Sequence, residues 1–365
     1  MAMDRRDRRV IRVLIVDDSP VVRELLTYIL GSDPEIQVVG TAENGAVAVE
    51  MCSRFSPDVI TMDIRMPVMD GYEATRRIMR DHPLPVVVVS ESFEKKEVEG
   101  SFRAVEAGAL TILRKPVGIG HPDHEKLARE LIRTVKLMSE VKVVRRWRRE
   151  GDGEAPRGSL PPAPILSSGT PEIEVVVIGA STGGPVVIQS LLSGIPGNFP
   201  VPILFVQHMA DGFIRGLVDW LNRTSNLPVR IAEEHEFILP GNVYVAPSGS
   251  QMILRQGGRI SYTKDAGEFG LCPSVSQLFL SAAQVYGTKA LAVLLTGMGR
   301  DGAAEMKMLK DLGAVTIAQD RESSVIYGMP GEAVRIGAAT HILSPERIVK
   351  EIVRLTKRRN REGSA

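Results

Sequence analysis

The chain has 365 residues, 44% of them hydrophobic and 24% charged, with a formal net charge of +1. That length leaves room for two or three domains, and so even a charge balance supplies no global field to recruit nucleic acid or a membrane surface. Cys52 and Cys272 match neither a zinc spacing nor a disulfide framework, the amino-terminal stretch lacks the apolar region of a signal peptide, and every apolar run is too short to span a bilayer, so stable membrane insertion is not expected and the cytoplasm is the expected location.

From Val10 to about Val117, short β-branched runs alternate with helical patterns. RVLIVDD, IQVVGTA, PDVITMD, LPVVVVS and LTILRKP read as strands, and continuous apolar runs of this kind suit a parallel sheet covered on both faces. SPVVRELLTYIL has helical spacing, with Gly31 as its expected stop. Asp17 and Asp18 end the first strand, Asp63 the third and Lys115 the fifth. In an open parallel sheet these carboxyl ends share one rim, so the groups converge. Carboxylate oxygens in such a cluster suit Mg²⁺, a hard cation. One carboxylate could attack a phosphoryl donor to give an acyl phosphate, with Lys115 neutralising charge on the transferred group. A single aspartate at a strand end reads more plainly as a cap or a solvated side chain. The set, with Ser90 after the fourth strand, is what points to chemistry.

This stretch resembles the response-regulator receiver domain over about residues 10–120. The residues that carry the resemblance are the Asp17-Asp18 pair, Asp63 in MDIRMPVMDG, Ser90 in VVVVSES and Lys115-Pro116 in LRKP. It implies a flavodoxin-like fold and phosphorylation of Asp63 by the histidine kinase of a chemotaxis system. It also implies Mg²⁺ among Asp17, Asp18, Asp63 and the backbone carbonyl of Arg65, with Ser90 and Lys115 as switch residues on the phosphoryl oxygens. Many receivers carry an inward-turning aromatic three residues before the lysine; here that residue is Ile112, so no rotating ring is expected.

Glu125 to Glu150 has a helical stripe of Leu127, Leu131, Val135 and Met138, and ends in RRWRRE. The Gly-, Pro- and Ser-rich stretch that follows has no periodicity and reads as a flexible connector. The basic run Arg145 to Arg149 raises DNA binding as a rival function, but no helix-turn-helix pattern follows it, and nucleic acid is not an expected partner.

From Ile173 a second α/β pattern begins. EVVVIGA, VPILFVQH, GNVYVAP, KALAVLLTG and GAVTIAQD read as strands, MILRQGGRISYT as a hairpin, and VSQLFLSAAQVYG and DGAAEMKMLKDLG as helices closed by glycine. GASTG, between a strand and a helix, fits the G-x-S-x-G elbow that exposes a nucleophilic serine at a sheet rim. A P-loop would need a following lysine, and a dinucleotide fingerprint other glycine spacing. The motif alone leaves two readings open: Ser181 as a helix cap, or Ser181 as a nucleophile. A nucleophile needs a base, and His208 directly follows VPILFVQ, on the same rim. His235 sits in charged EEHEF, His341 near a strand start, and His82, His121 and His124 fall earlier in the chain. Asp301, in LAVLLTGMGRDG, is the candidate acid, with helix capping as its plain alternative and Asp320 as runner-up. Backbone amides of Thr182, Met298 and Gly299 are candidates for holding an oxyanion. No metal spacing accompanies this set, and the esterase is expected to need no cofactor.

The chain as a whole resembles the chemotaxis protein-glutamate methylesterase family. IGASTGGP, FPVPILFVQHM, LPGNVYVAP, PSV, LTGMGRDGA and TIAQDRESSVIYGMP occur in order. The resemblance implies α/β architecture with two doubly wound parallel-sheet domains: a receiver over 9–124, a helical and flexible linker over 125–171, and a Rossmann-like methylesterase domain with a β-hairpin over 172–357. It implies Ser181, His208 and Asp301 as catalytic residues, and hydrolysis of γ-glutamyl methyl esters and deamidation of glutamines on chemoreceptor cytoplasmic helices. It further implies a receiver docked over the site until phosphorylation loosens it. Four departures stand out. The family often has His, Arg and Asp where this chain has Leu271, Cys272 and Ser276, and often has Arg where this chain has Gly331. The loss of two cations on the substrate side motivates a rival reading, a catalytically idle regulatory module acting on a receptor-like partner.

Overall fold

The computed structural model describes residues 10–91, 95–141, 143, 172–264 and 270–357. The flexible connector and the basic run Arg145 to Arg149 lie outside these residues.

In the N-terminal unit, β1 (Ile11–Val16), β2 (Ile36–Ala42), β3 (Val59–Met62), β4 (Val86–Ser90) and β5 (Thr111–Arg114) form a sheet of order β2-β1-β3-β4-β5. Every pairing is parallel. Between and after the strands come α1 (Pro20–Gly31), α2 (Gly45–Phe55), α3 (Gly71–Asp81), α4 (Lys95–Ala107) and α5 (His124–Met138). Strand residues alternate between two apolar layers, as the pleat requires. Val13, Ile15, Val59, Val87 and Val89 pack with Leu26 and Leu30 of α1 and Leu131, Val135 and Met138 of α5. Leu14, Val16, Ile60, Met62, Val86 and Val88 pack with Ala48 of α2, Ile78 of α3 and Phe102 of α4.

Two local expectations need correcting. The stripe assigned to a linker helix belongs to α5, which ends at Met138 rather than Glu150 and closes this sheet. Its apolar face has a partner in the strands, so it is a layer of the unit and not a tether. Gly31 is the last residue of α1 rather than its stop; the cap is Ser32, whose N–H returns to Tyr28 and Ile29.

In the C-terminal unit the sheet order is β14-β13-β12-β6-β7-β9-β8, all parallel. Its strands are β6 (Val175–Ala180), β7 (Ile203–Gln207), β8 (Val229–Ile231), β9 (Val243–Val245), β12 (Ala290–Leu294), β13 (Val315–Gln319) and β14 (His341–Leu343). The expected hairpin is β10 (Gln251–Arg255) with β11 (Arg259–Thr263). The helices are α6 (Gly184–Gly194), α7 (Ile214–Thr224), α8 (Val275–Tyr286), α9 (Ala303–Asp311), α10 (Met329–Arg335) and α11 (Pro345–Thr356). One face packs on α8, α9 and the hairpin. The other, with Val176, Ile178, Ile203 and Phe205, packs on α6, α7 and α11.

Each sheet has a point where the strand order reverses: between β1 and β3 in the first, and between β6 and β12 in the second, which reverses again at its β9–β8 edge. Helices run to opposite faces from such a point and leave a crevice outside the strand ends.

The two units share one apolar layer through α4 and α7. The rings of Phe102 and Trp220 stack at 5.5 Å, Trp220 Nε1 donates to Glu106, and Arg223 pairs with Glu99 at 3.0 Å. Gly216 lets the helices meet, because a Cβ there would overlap Val98 and lie 3.0 Å from the Phe102 ring. Gly216→Leu will therefore part the units while leaving each sheet intact. Small-angle X-ray scattering of the full chain will read a larger radius of gyration, and an unchanged radius would overturn this account of the contact.

Candidate active site

The first crevice holds the acidic cluster. Asp17 and Asp63 are buried, and their carboxylate oxygens and that of exposed Asp18 lie within 4.8 Å of one another. Lys115 Nζ reaches Asp17 Oδ2 at 2.9 Å and Asp63 Oδ1 at 3.1 Å. Apart from these ion pairs, both oxygens accept no hydrogen bond among the described residues. Burial pushes the Asp63 carboxyl up to about 7; Lys115 opposes this and the Asp17 charge adds to it. Burial would also discharge Lys115, but Asp63 and Asp17 outweigh it and hold its amine above the usual lysine value. Ser90 is buried at the end of β4, where its carbonyl accepts the Lys115 N–H. Ile112 is buried in the layer that faces α4. A cavity of about 770 Å³ beside the cluster is lined by Asp18, Arg65, Asp70, Glu99 and Arg103, among others.

The second crevice gathers residues from three strand ends. Ala180 and Gln207 are register partners on β6 and β7, so Ser181 and His208 leave the sheet side by side; the His208 N–H bonds to Ala180 O at 3.0 Å. Ser181 opens a turn completed by Gly183 at φ 79°, a left-handed conformation that favours glycine. The Ser181 N–H bonds to Thr296 O at 3.0 Å, tying this turn to the segment after β12. That segment lies flat on the serine, since a Cβ on Gly297 would fall 2.7 Å from Ser181 Cβ. The amides of Thr182, Met298 and Gly299 enter no hydrogen bond with described residues.

His208 Nε2 and Asp301 Oδ2 are 2.8 Å apart. Asp301 is 2% exposed and also accepts the N–H groups of Val275, at 2.6 Å, and Ser276, at 3.0 Å. Burial opposes its ionisation, but the donors His208, Ser276 and Val275 outweigh burial and hold the carboxyl below the ordinary carboxylate value. Asp301 is thus a capping residue, though not for α9, the helix it precedes. It lies against the N-terminus of α8, where Ser274 is the N-cap and the next two amides and the positive dipole end face Asp301. Asp301 bonds Nε2 and not Nδ1, the reverse of the histidine–aspartate contact in serine proteases.

The other candidates lie elsewhere. Asp320 Oδ1 accepts from Ser323, His235 is exposed beside Glu234, and His341 faces Glu351 at 3.8 Å. Sequence reasoning missed Gln207, whose Nε2 bonds to the carbonyls of Ser181 and His208. It also missed what Ser276 does: its Oγ accepts the Gly302 N–H at 3.0 Å and donates to Glu305 at 2.7 Å. Nothing in strand or helix periodicity marks either role.

Known proteins match this chain along its length. The CheB methylesterase family model matches residues 176–352, and the response regulator receiver domain model residues 13–122. A protein-glutamate methylesterase/protein-glutamine glutaminase of Nitrosospira multiformis is 54% identical over 349 residues, covering 96% of this chain and 98% of its own. One of Geobacter metallireducens is 54% identical over 346 residues, covering 94% and 99%. The chain belongs to the protein-glutamate methylesterase/protein-glutamine glutaminase family. The crystal structure of the Thermotoga maritima CheB methylesterase catalytic domain is similar at 37% identity and a TM-score of 0.49, covering 50% of this chain and 99% of that one.

Against the family pattern, the departures separate by location. Ser276 lies within the Asp301 network, whereas Gly331 lies under Tyr327, whose ring a Cβ there would meet at 2.8 Å. Leu271 contributes its carbonyl to Gln251.

The raised Asp63 carboxyl has a thermodynamic sign. The native state holds its proton between the ordinary 3.8 and about 7, so stability falls as pH rises through that window. In EDTA, Asp63→Asn will stabilise the N-terminal unit at pH 8, and the gain will shrink as pH falls from 7 towards 4. Denaturant titration across pH will read it, and a gain independent of pH would contradict the burial argument.

Proposed function

We propose that the chain is a phosphorylation-gated serine hydrolase. It demethylates γ-glutamyl methyl esters, and deamidates glutamines, on chemoreceptor cytoplasmic helices, with Ser181, His208 and Asp301 as its catalytic triad. The observation that carries the reading is the 2.8 Å contact of His208 with buried Asp301, beside the strand pair that sets Ser181 next to His208. The names of the relatives supply the substrate class.

Asp301 accepts the proton on Nε2, so Nδ1 is the basic nitrogen. As Ser181 Oγ attacks the ester carbonyl carbon, Nδ1 takes its proton. Asp301 stabilises the imidazolium, a function worth about 10⁴-fold in serine proteases. The tetrahedral oxyanion lies against the amides of Thr182 and of Met298 or Gly299, at the positive end of α6; one such donor is worth about 10²–10³-fold. His208 returns the proton to the departing methoxy oxygen, and methanol leaves. Water, deprotonated by His208, then attacks the acyl-serine and frees glutamate. A glutamine follows the same course with ammonia as the leaving group. The rival idle module, suggested by the missing cations, has against it the intact His208–Asp301 pair.

In the receiver, Asp63 accepts the phosphoryl group from the kinase. Asp17, Asp18, Asp63 and the Arg65 carbonyl would hold Mg²⁺, an all-oxygen donor set suited to a hard cation that supplies charge neutralisation at the phosphoryl oxygens. Lys115 adds a fixed positive charge there, and the Ser90 hydroxyl donates to a phosphoryl oxygen. The α4–α7 contact, with Val325 and Ile326 packed against the receiver's apolar layer, supports a docked resting state that phosphorylation loosens. No described helix is long and apolar enough to cross a membrane. The reading puts the chain in the cytoplasm, beside the receptor helices it acts on.

Ser181→Ala will cut demethylation of the cognate receptor by more than about a thousandfold, read by mass spectrometry of receptor peptides; unchanged turnover would end the hydrolase reading. Asp63→Asn will keep the basal rate and lose stimulation by a small phosphodonor, and stimulation equal to the unsubstituted chain would remove the gating claim.

A further inference from the structure

Gln207 is the last residue of β7 and is 2% exposed. Its Nε2 donates to Ser181 O at 2.8 Å and to His208 O at 2.9 Å. One amide nitrogen therefore ties the turn that carries the serine to the residue that carries the imidazole. The opposite orientation of the amide would set Oε1 against two carbonyl oxygens, so the nitrogen must face them. Oε1, in turn, is buried without a hydrogen-bond partner among the described residues. It occupies space left by Gly184, where a Cβ would overlap it.

An unpaired buried amide oxygen is unfavourable, and native folds rarely keep one without a reason. Methionine or leucine would fill most of the same volume with no orphaned atom. Local packing alone thus gives no reason for an amide at this position; the two carbonyl contacts do.

We infer that Gln207 is a positioning residue: it fixes the separation of Ser181 and His208 by clamping their carbonyls together, at the expense of an unsatisfied oxygen beside α6. The inference rests on the triad reading of the preceding section and deepens it. The β6–β7 register ends at the Ala180–Gln207 pair, and past it the His208 N–H still bonds to Ala180 O, but among the described residues no backbone bond joins Ser181 itself to His208. The Gln207 amide supplies that link. Displacement by about 1 Å at a reacting pair can lower a rate about 10²-fold.

The test uses the full chain with Mg²⁺ and acetyl phosphate, and a fluorophosphonate probe. Ser181 Oγ forms the bond to phosphorus, fluoride leaves, and the serine proton passes to His208. Gln207→Met and Gln207→Leu both remove the donor while keeping bulk. Their maximal labelling rate is expected to fall about 10- to 100-fold. Half-saturating probe concentration should be unchanged, and the thermal midpoint should move little, because the donor lost to two carbonyls is offset by removal of the orphaned oxygen. Labelling at the rate of the unsubstituted chain in both variants would overturn the inference. So would a loss of labelling that merely follows a lowered thermal midpoint in both, which would make Gln207 a structural residue. If the unsubstituted chain itself is not labelled at Ser181, the nucleophile reading falls and this inference with it, an outcome distinct from the other two.

Discussion

The Asp301 carboxylate on the N-terminus of α8 is the interaction on which the rest of the catalytic unit depends. A carboxylate at this depth is stable as an anion only because Val275, Ser276 and His208 all donate to it. The helix supplies its first amides in a fixed direction, so the anion cannot turn. The imidazole it holds is fixed in turn, in both ring orientation and tautomer. A side chain from after β12, a helix that begins after the hairpin and a histidine from after β7 meet at one atom pair. The parallel sheet is the frame that brings such distant segments together, and the carboxylate is where they lock.

The two crevices use one topological device for opposite electrostatic ends. Both lie where strand order reverses, and both hold buried aspartates. At Asp301 the donors outnumber the charges, and ionisation is favoured. At Asp63 burial, joined by the charge of a second carboxylate and opposed by Lys115, disfavours ionisation. The first arrangement suits a fixed anion that orients a base. The second suits a group whose negative charge is crowded until a cation arrives.

Much of this was legible in the chain. The continuous apolar runs gave both sheets, because buried parallel strands need no polar alternation. Asp17, Asp18, Asp63 and Lys115 stood out by their places at strand ends, as did Ser181 and His208. The misses have physical causes. Strands β8 and β14 are three residues long and lie at the sheet edges, below the length at which a pattern separates from chance; β14 showed only as the strand start expected near His341. The α5 stripe reads identically on a linker helix and a packed one, since periodicity reports an apolar face but not its partner. Asp301 was weighed as a cap for the helix it precedes, but its carboxylate sits on α8, whose first residue, Val275, lies 26 positions earlier in the chain. Gln207 and the Ser276 hydroxyl act through hydrogen bonds to atoms remote in sequence, which no local pattern encodes.

The stacked pair Phe102 and Trp220 has one more consequence. Drawing α4 away from α7 would expose two large aromatic surfaces to water, each about 150–250 Å² when fully uncovered. Water penalises that exposure whatever caused the separation. A parted form would therefore be drawn back toward closure by water alone, with no further contact needed to favour it.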